Sequence, residues 1–336
     1  MNDAFLKAAR GKKVDHVPVW FMRQAGRSLP GYRALRKKYG VLELAQTPEL
    51  AAHVSLEPIE RLGVDAAILF ADIMLLPIAM GVDVKIIDAI GPVIDSPLRS
   101  LKDINKLRNF EQGNAAYLQQ TIKILRNELH VPLIGFAGAP FTLASYLLEG
   151  KPSRTWSITK RFMLEESEAW DTLMKKLSDG IISYLSMQID AGAQAVQLFD
   201  SWVGALSPSD YRRYVLPYVQ RIFKTLEKKD VPRIHFGTNT AGLFEDFTNV
   251  DCEVIGLDWH MSLSAARKLL PRRTLQGNLD PVLLLTDFPL VQKRVDEMLC
   301  SINPHKRYIF NLGHGVLPET DDKQLKKLVE YIHETY

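Results

Sequence analysis

Short apolar runs alternate with longer amphipathic segments along the whole chain. Runs at 17–22, 66–70, 132–136, 194–199, 233–236, 253–257, 274–277 and 308–312 have the length and composition of buried strands. Between them, Leu118, Ile122, Leu125 and Leu129 form one stripe at helical spacing. Trp170, Leu173, Met174, Leu177, Ile181 and Leu185 form another, and the segment from about Asp321 onward has the same character. Eight strands, each followed by a helical region, predict an α/β protein of the (β/α)8 TIM barrel type, with residues 1–336 as a single domain. A doubly wound sheet would need a glycine-rich dinucleotide turn after the first strand, and the residues beyond Met22 do not provide one.

One interval is too long for an ordinary connection. Residues 77–110 contain two β-prone pieces, Val82–Ile87 and Gly91–Ile94, and then a short helix-like piece. They read as an excursion after strand 2 near the barrel mouth, either a partner surface or part of a lid.

Size and composition narrow the function classes. A chain of 336 residues with 46% hydrophobic and 24% charged residues can bury a large core. Its net charge of +3 supplies no broad basic field for nucleic acid. Cys252 and Cys300 lie far apart and outside any CxxC, so neither a disulfide framework nor a cysteine-rich metal site is expected. The most apolar window, Ala66–Met80, is interrupted by Asp72 and Pro77 and is too short to span a bilayer. The opening MNDAFLKAARGKK lacks the apolar segment of an export signal. These features predict a cytosolic enzyme with no membrane partner.

The candidate chemistry begins in PVWFMRQAGRSLPGYRALRKK, from Pro18 to Lys38. A buried strand leads directly into Arg23 and Arg27, with Gly26 between them. Two guanidiniums four residues apart repel each other unless an anion lies between them, and each presents a planar fork suited to carboxylate or phosphate. A solvated basic helix face is the plainer alternative. The remaining strand ends favour a site, because in such barrels the chemistry gathers at the C-terminal ends of the strands. Asp72 follows the second run, Gly138, Pro140 and Tyr146 the third, Asp200 and Ser201 the fourth. His235 closes the fifth, Asp258 the sixth and Asn278 the seventh; His314, between two glycines, follows the eighth. Helix capping is an alternative for Asp72, Ser201 and Asp280, and simple packing for Tyr146. GFAGAP lacks the phosphate-loop patterns, so a tight strand exit explains it equally well.

With these residues assembled, the chain resembles the uroporphyrinogen decarboxylase family from about His16 to about Thr320. PVWFMRQAGR, LFADIM, GFAGAPFTL, LFDSW and NLGHG stand in the family's order and approximate spacing. Ser28 and Gly31 depart from it, occupying positions where the family commonly has an aromatic and an acidic residue. The resemblance implies a homodimeric (β/α)8 barrel that removes carbon dioxide from the four acetate arms of a cyclic tetrapyrrole without metal or organic cofactor. By motif position it places functional residues at Arg23, Arg27, Asp72, Tyr146, Ser201 and His314, with Phe136 and Phe199 lining the pocket. Corrinoid-dependent methyltransferases share the superfamily, but their zinc site needs a His-x-Cys pair. Here His235 is followed by Phe236 and Gly237. A non-catalytic tetrapyrrole carrier would use the same binding residues.

Overall fold

The computed structural model describes residues 2–88 and 90–336. Seven parallel strands form one sheet whose order follows the chain: β1 (Ala67–Ile68), β4 (Leu133–Gly138), β5 (Ala195–Asp200), β6 (Arg233–Gly237), β7 (Val254–Gly256), β8 (Thr274–Gln276) and β9 (Tyr308–Ile309). Every connection between consecutive sheet strands carries helix, as parallel pairing requires. β4 is buried at every residue, which is why it reads as a continuous apolar run, and β6 is buried throughout although it carries Arg233 and His235. Between β1 and β4, β2 (Lys85–Ile87) and β3 (Gly91–Val93) make a separate antiparallel hairpin. Ile94 N donates to Gly150 O at 2.7 Å and Leu98 N to Leu147 O at 2.8 Å, tethering the exit of this hairpin to the helix Pro140–Glu149.

The predicted first strand is extended but forms no regular ladder. Its one bridge pairs Val19 with Phe310, with Phe310 N donating to Pro18 O at 2.9 Å and Trp20 N to Phe310 O at 3.3 Å. On its other side, Asp65 N donates to Val19 O at 2.8 Å. Val17 N donates to Tyr336 O at 3.2 Å, and side chains take the amides of Val19, Phe21 and Met22. Asp65 Oδ2 accepts from Val19 N, Gln24 Oε1 from Phe21 N and Asn311 Oδ1 from Met22 N. Residues 17–22 therefore meet both edges of the sheet through a few backbone bonds, and the Asp65 and Asn311 side chains complete pairing that a regular ladder would make with backbone alone.

Side-chain alternation sorts the core into two layers. Trp20, Met22, Ile68, Ile134, Phe136, Ile234, Phe236, Val254 and Ile309 pack together with Phe5, Ala8 and Ala9 of the N-terminal helix Ala4–Ala9. Their neighbours in sequence, such as Val19, Phe21, Leu69, Leu133, Leu198, Ile255 and Phe310, join the larger cluster shared with the helices. Thr274 Oγ1, at the start of β8, donates to Ala8 O at 2.9 Å, so the first helix covers the N-terminal ends of the strands. Among the described residues, no helix is long and apolar enough to cross a membrane.

Candidate active site

A cavity of about 630 Å³ opens at the C-terminal ends of the strands. All eight residues proposed from sequence line it: Arg23, Arg27, Asp72, Phe136, Tyr146, Phe199, Ser201 and His314. Ile86, Ile87, Asp88, Ile90, Gly91 and Pro92 of the β2–β3 hairpin form part of the wall.

Arg23 has φ +62°, a left-handed conformation that costs a residue with a Cβ roughly 1–3 kcal/mol and is held by its surroundings. Two glycines permit it. A Cβ on Gly26 would lie 2.7 Å from Arg23 O, and one on Gly315 would lie 2.3 Å from Arg23 Cδ. Both Arg23 and Arg27 are exposed to the cavity. Among the described residues, neither guanidinium has a hydrogen-bond or ion-pair partner. Cations placed in this way are ready to accept anionic ligands.

Asp72 is half-buried at the turn after β1, where its Oδ1 accepts from Met74 N at 2.8 Å. This bond closes the turn two residues on and does not cap the helix Leu75–Ala79, whose N-cap is Met74, so the cavity placement holds and helix capping does not. Burial pushes the Asp72 carboxyl above its ordinary range, against the Met74 amide and the Arg23 charge, which hold it down. Arg23 also acts on His314 and Tyr146. Burial, aided by Arg23, brings the His314 imidazole down to about 4, so it is neutral near pH 7. Burial and Asp72 push the Tyr146 phenol well above its ordinary value, keeping it a donor. Among the described residues, the side-chain polar atoms of Tyr146, Ser201 and His314 make no hydrogen bond, which leaves them to a ligand; Thr238 Oγ1 donates only to the Ser201 backbone oxygen.

The walls are aromatic and rigid. Phe136, Phe199 and Phe236 meet edge to face, with centroid separations of 5.4 Å and 5.8 Å. Trp202 lies 4.0 Å from Tyr146, and its backbone N donates to Thr142 Oγ1 at 3.3 Å. Thr142 in turn donates to Asp200 Oδ1 at 3.0 Å. Asp200, His235, Asp258 and Asn278 do not reach the cavity. Asp200 is buried behind this wall, and His235 stacks on Phe247 at 3.9 Å among the helices. Asp258 accepts from His260 N at 3.1 Å, while Asn278 Nδ2 donates to Asp258 O at 2.7 Å. Asp200 and His235 fail because side chains alternate in direction along β5 and β6, while Asp258 and Asn278 lie in the loops beyond β7 and β8, where they bond to neighbouring loop residues. Gly138 is a tight exit: a Cβ there would lie 2.7 Å from Leu143 Cδ2. Asp280 caps through Val282 N at 3.0 Å.

Sequence reasoning missed Tyr32, Arg36, Thr142 and Trp202, which also line the cavity. The helix Pro30–Arg36 places Arg36 beside the hairpin, where its Nη2 donates to Asp88 Oδ1 at 2.6 Å. The signal was present in YRALRKK, where Arg36 lies four residues, one helical turn, beyond Tyr32.

Comparison with known proteins decides the family. The uroporphyrinogen decarboxylase (URO-D) family model matches residues 1–335. The chain belongs to the uroporphyrinogen decarboxylase family. It is 51% identical to the uroporphyrinogen decarboxylase of Bacillus subtilis (strain 168), over 99% of this chain and 95% of that one. It is 48% identical to that of Geobacillus thermodenitrificans (strain NG80-2), over 99% and 97%. Among solved structures, a methyltransferase from Methanosarcina mazei shares the fold, with a TM-score of 0.83 at 20% identity, covering 100% of this chain and 98% of that chain. A B12-independent methionine synthase from Shewanella sp. W3-18-1 is a more distant fold relative, with a TM-score of 0.57 at 11% identity, over 89% and 91%. At Gly31, where uroporphyrinogen decarboxylases commonly carry an acidic residue, a carboxylate arrives from elsewhere. Glu57 accepts from Gly31 N at 2.8 Å and Tyr32 N at 3.0 Å, and a Cβ at position 31 would fall 2.7 Å from it.

Proposed function

We infer that this chain is a cytoplasmic, homodimeric (β/α)8 decarboxylase of one domain, which converts uroporphyrinogen III to coproporphyrinogen III by removing four acetate carboxyl groups. The observation that carries this reading is the pair of guanidiniums, Arg23 and Arg27, unpartnered among the described residues, in one aromatic-walled cavity with the carboxylate of Asp72. Relatives near 50% identity that carry this activity over the same length support it. The segment 17–22, bonded to both edges of the sheet, supports the eighth stave of a closed barrel. The β2–β3 hairpin on the cavity wall is read as the lid-side part of the excursion.

The substrate is a flexible ring of four pyrroles with a rim of acetates and propionates. Arg23 and Arg27 hold rim carboxylates through paired N–H donors, and Tyr146, Ser201 and neutral His314 add further donors. Asp72 accepts hydrogen bonds from the inward pyrrole N–H groups. Direct loss of carbon dioxide from an acetate arm would leave an unstabilised carbanion. Protonation of the neighbouring pyrrole carbon first makes the ring cationic. The C–C bond then breaks, and its electron pair flows into the ring as carbon dioxide departs. Reprotonation of the exocyclic carbon and loss of the ring proton restore the pyrrole, so each arm consumes one proton net.

Asp72 suits the cationic stage because burial already disfavours its isolated charge. A positive ring beside it restores what solvent no longer supplies, so the attraction is larger in the intermediate than in the neutral substrate. His314, neutral near pH 7, suits binding better than proton donation, which leaves the proton to an arginine or to water.

The test is anaerobic incubation with uroporphyrinogen III, followed by oxidation and chromatography of the porphyrins. Coproporphyrin is the expected end product. Tight binding with only uroporphyrin recovered would instead make the chain a carrier.

A further inference from the structure

A second constellation lies at the opposite end of the strands, outside the cavity. Asp65 stands just before β1, His16 just before the extended segment 17–22, and His333 in the last turn of the C-terminal helix Asp322–Thr335. Asp65 is buried, at 1% exposure, and its oxygens are met on both sides. His16 Nε2 lies 3.0 Å from Oδ1 and His333 Nε2 lies 2.7 Å from Oδ2. The two imidazoles meet edge to face at 4.7 Å and are each about a third exposed, so solvent reaches them.

We propose that His16 Nε2, His333 Nε2 and the Asp65 carboxylate form a binding site for one divalent transition-metal ion with the ligand preferences of zinc. The donor atoms all lie within 4.8 Å of one another. Adjacent donors around a tetrahedral zinc stand roughly 3.3 Å apart, given bonds of about 2.0–2.2 Å. Each imidazole is near that spacing from its own carboxylate oxygen, His16 from Oδ1 and His333 from Oδ2, so the ion sits toward the carboxylate edge between them. The widest pair closes by rotation of the part-exposed imidazoles. Asn2 Nδ2, at 2.7 Å from Oδ1, and Val19 N, at 2.8 Å from Oδ2, fix the carboxylate independently of the histidines. Such outer partners keep a ligand in place when an ion enters. On binding, each imidazole carries its one proton on Nδ1 and offers the Nε2 lone pair, and any further proton leaves to solvent. The exposed side accommodates water as the remaining ligand. An ion here joins three segments far apart in sequence and anchors the start of the stave that carries Arg23 and Arg27.

The plainer account is a hydrogen-bonded clasp, and glutamine separates the two. Both His16→Gln and His333→Gln retain an N–H donor for Asp65 but remove the imidazole ligand. Chelator-stripped full-length protein is titrated with zinc chloride against a chromophoric competitor, and thermal unfolding is followed with and without the ion. The proposal expects one ion per chain, a zinc-dependent rise in Tm, and affinity weakened by about tenfold or more in either variant. Zinc K-edge absorption of the one-equivalent wild-type complex gives a readout independent of folding in the variants, with two imidazoles expected in the first shell. Absence of stoichiometric binding, a shell containing sulfur from Cys300 or lacking paired imidazoles, or a smaller loss of affinity in both variants would each overturn it.

Discussion

The Asp72→Asn substitution sets stability and activity against each other. Asparagine keeps the shape and the oxygen that accepts from Met74 N, but removes the charge. Burial raises the carboxyl above its unfolded value, so the ionised side chain opposes folding at neutral pH and its removal costs the fold nothing. Tm is therefore expected within about 2 °C of wild type, or above it, since 1 kcal/mol moves a chain of this class by a few degrees. Catalysis should respond in the other direction. A unit charge about 4 Å from a transient cation is worth roughly 4 kcal/mol at an effective dielectric near 20. Arg23 already neutralises part of the Asp72 charge, and Asp72 is only half-buried, so the effective loss falls toward the 2.7–4 kcal/mol typical of one preorganised electrostatic group. That predicts kcat lowered by about 10²–10³-fold. The assay is anaerobic turnover of uroporphyrinogen III, with chromatographic counting of carboxyl groups and calorimetry on the same preparation. A kcat within about threefold of wild type would remove Asp72 from the cationic step, and a Tm drop of many degrees would make its role structural.

Four further outcomes follow from the same geometry. Arg27→Lys keeps the charge but loses the planar fork, so kcat/KM should fall by about tenfold or more, and wild-type behaviour would dismiss bidentate recognition. His314, down at about 4, takes up a proton more readily in the unfolded chain. Stability should therefore fall as pH drops from about 6.5 to 4 and be insensitive to this group above 6.5, with no His314-dependent limb in kcat/KM between pH 6 and 8; a limb there that disappears in His314→Gln would contradict it. Gly315→Ala forces its new methyl against the Arg23 side chain, so KM should rise by about tenfold with kcat less affected, measured by steady-state turnover. Asp200→Ala leaves the Thr142 hydroxyl without its acceptor behind the Trp202–Tyr146 wall, so unfolding free energy should drop by about 1–3 kcal/mol in urea titrations; an unchanged midpoint would show that the wall does not depend on this bond.

Much of the arrangement was legible along the chain because burial leaves a periodic trace. Seven of the eight apolar runs coincide with strands of the sheet; the stripe Trp170–Leu185 falls within the helix Ser167–Ala191, and the stripe Leu118–Leu129 lies in the helix Ala116–Glu128 except for Leu129, its C-cap. The run at 17–22 was recognisable as extended, yet its ladder was not. The amides of Val19, Phe21 and Met22 bond to Asp65, Gln24 and Asn311, and no local pattern announces a side chain standing in for backbone.

Sequence determined which residues could bind an anionic, aromatic-sized ligand. Motifs at strand ends carry their own chemistry, and parallel strands send all their C-terminal ends to one side. Tertiary structure alone decided which of those residues face the ligand. It turned Asp200 and His235 away from the cavity while bringing Arg36 and Trp202 to it. It also assembled Asp65 with His16 and His333 from segments whose sequence neighbourhoods suggest no site. The reason is that side-chain direction and long-range convergence depend on how the sheet curls and how the helices close over it, and those depend on contacts distributed across the whole chain.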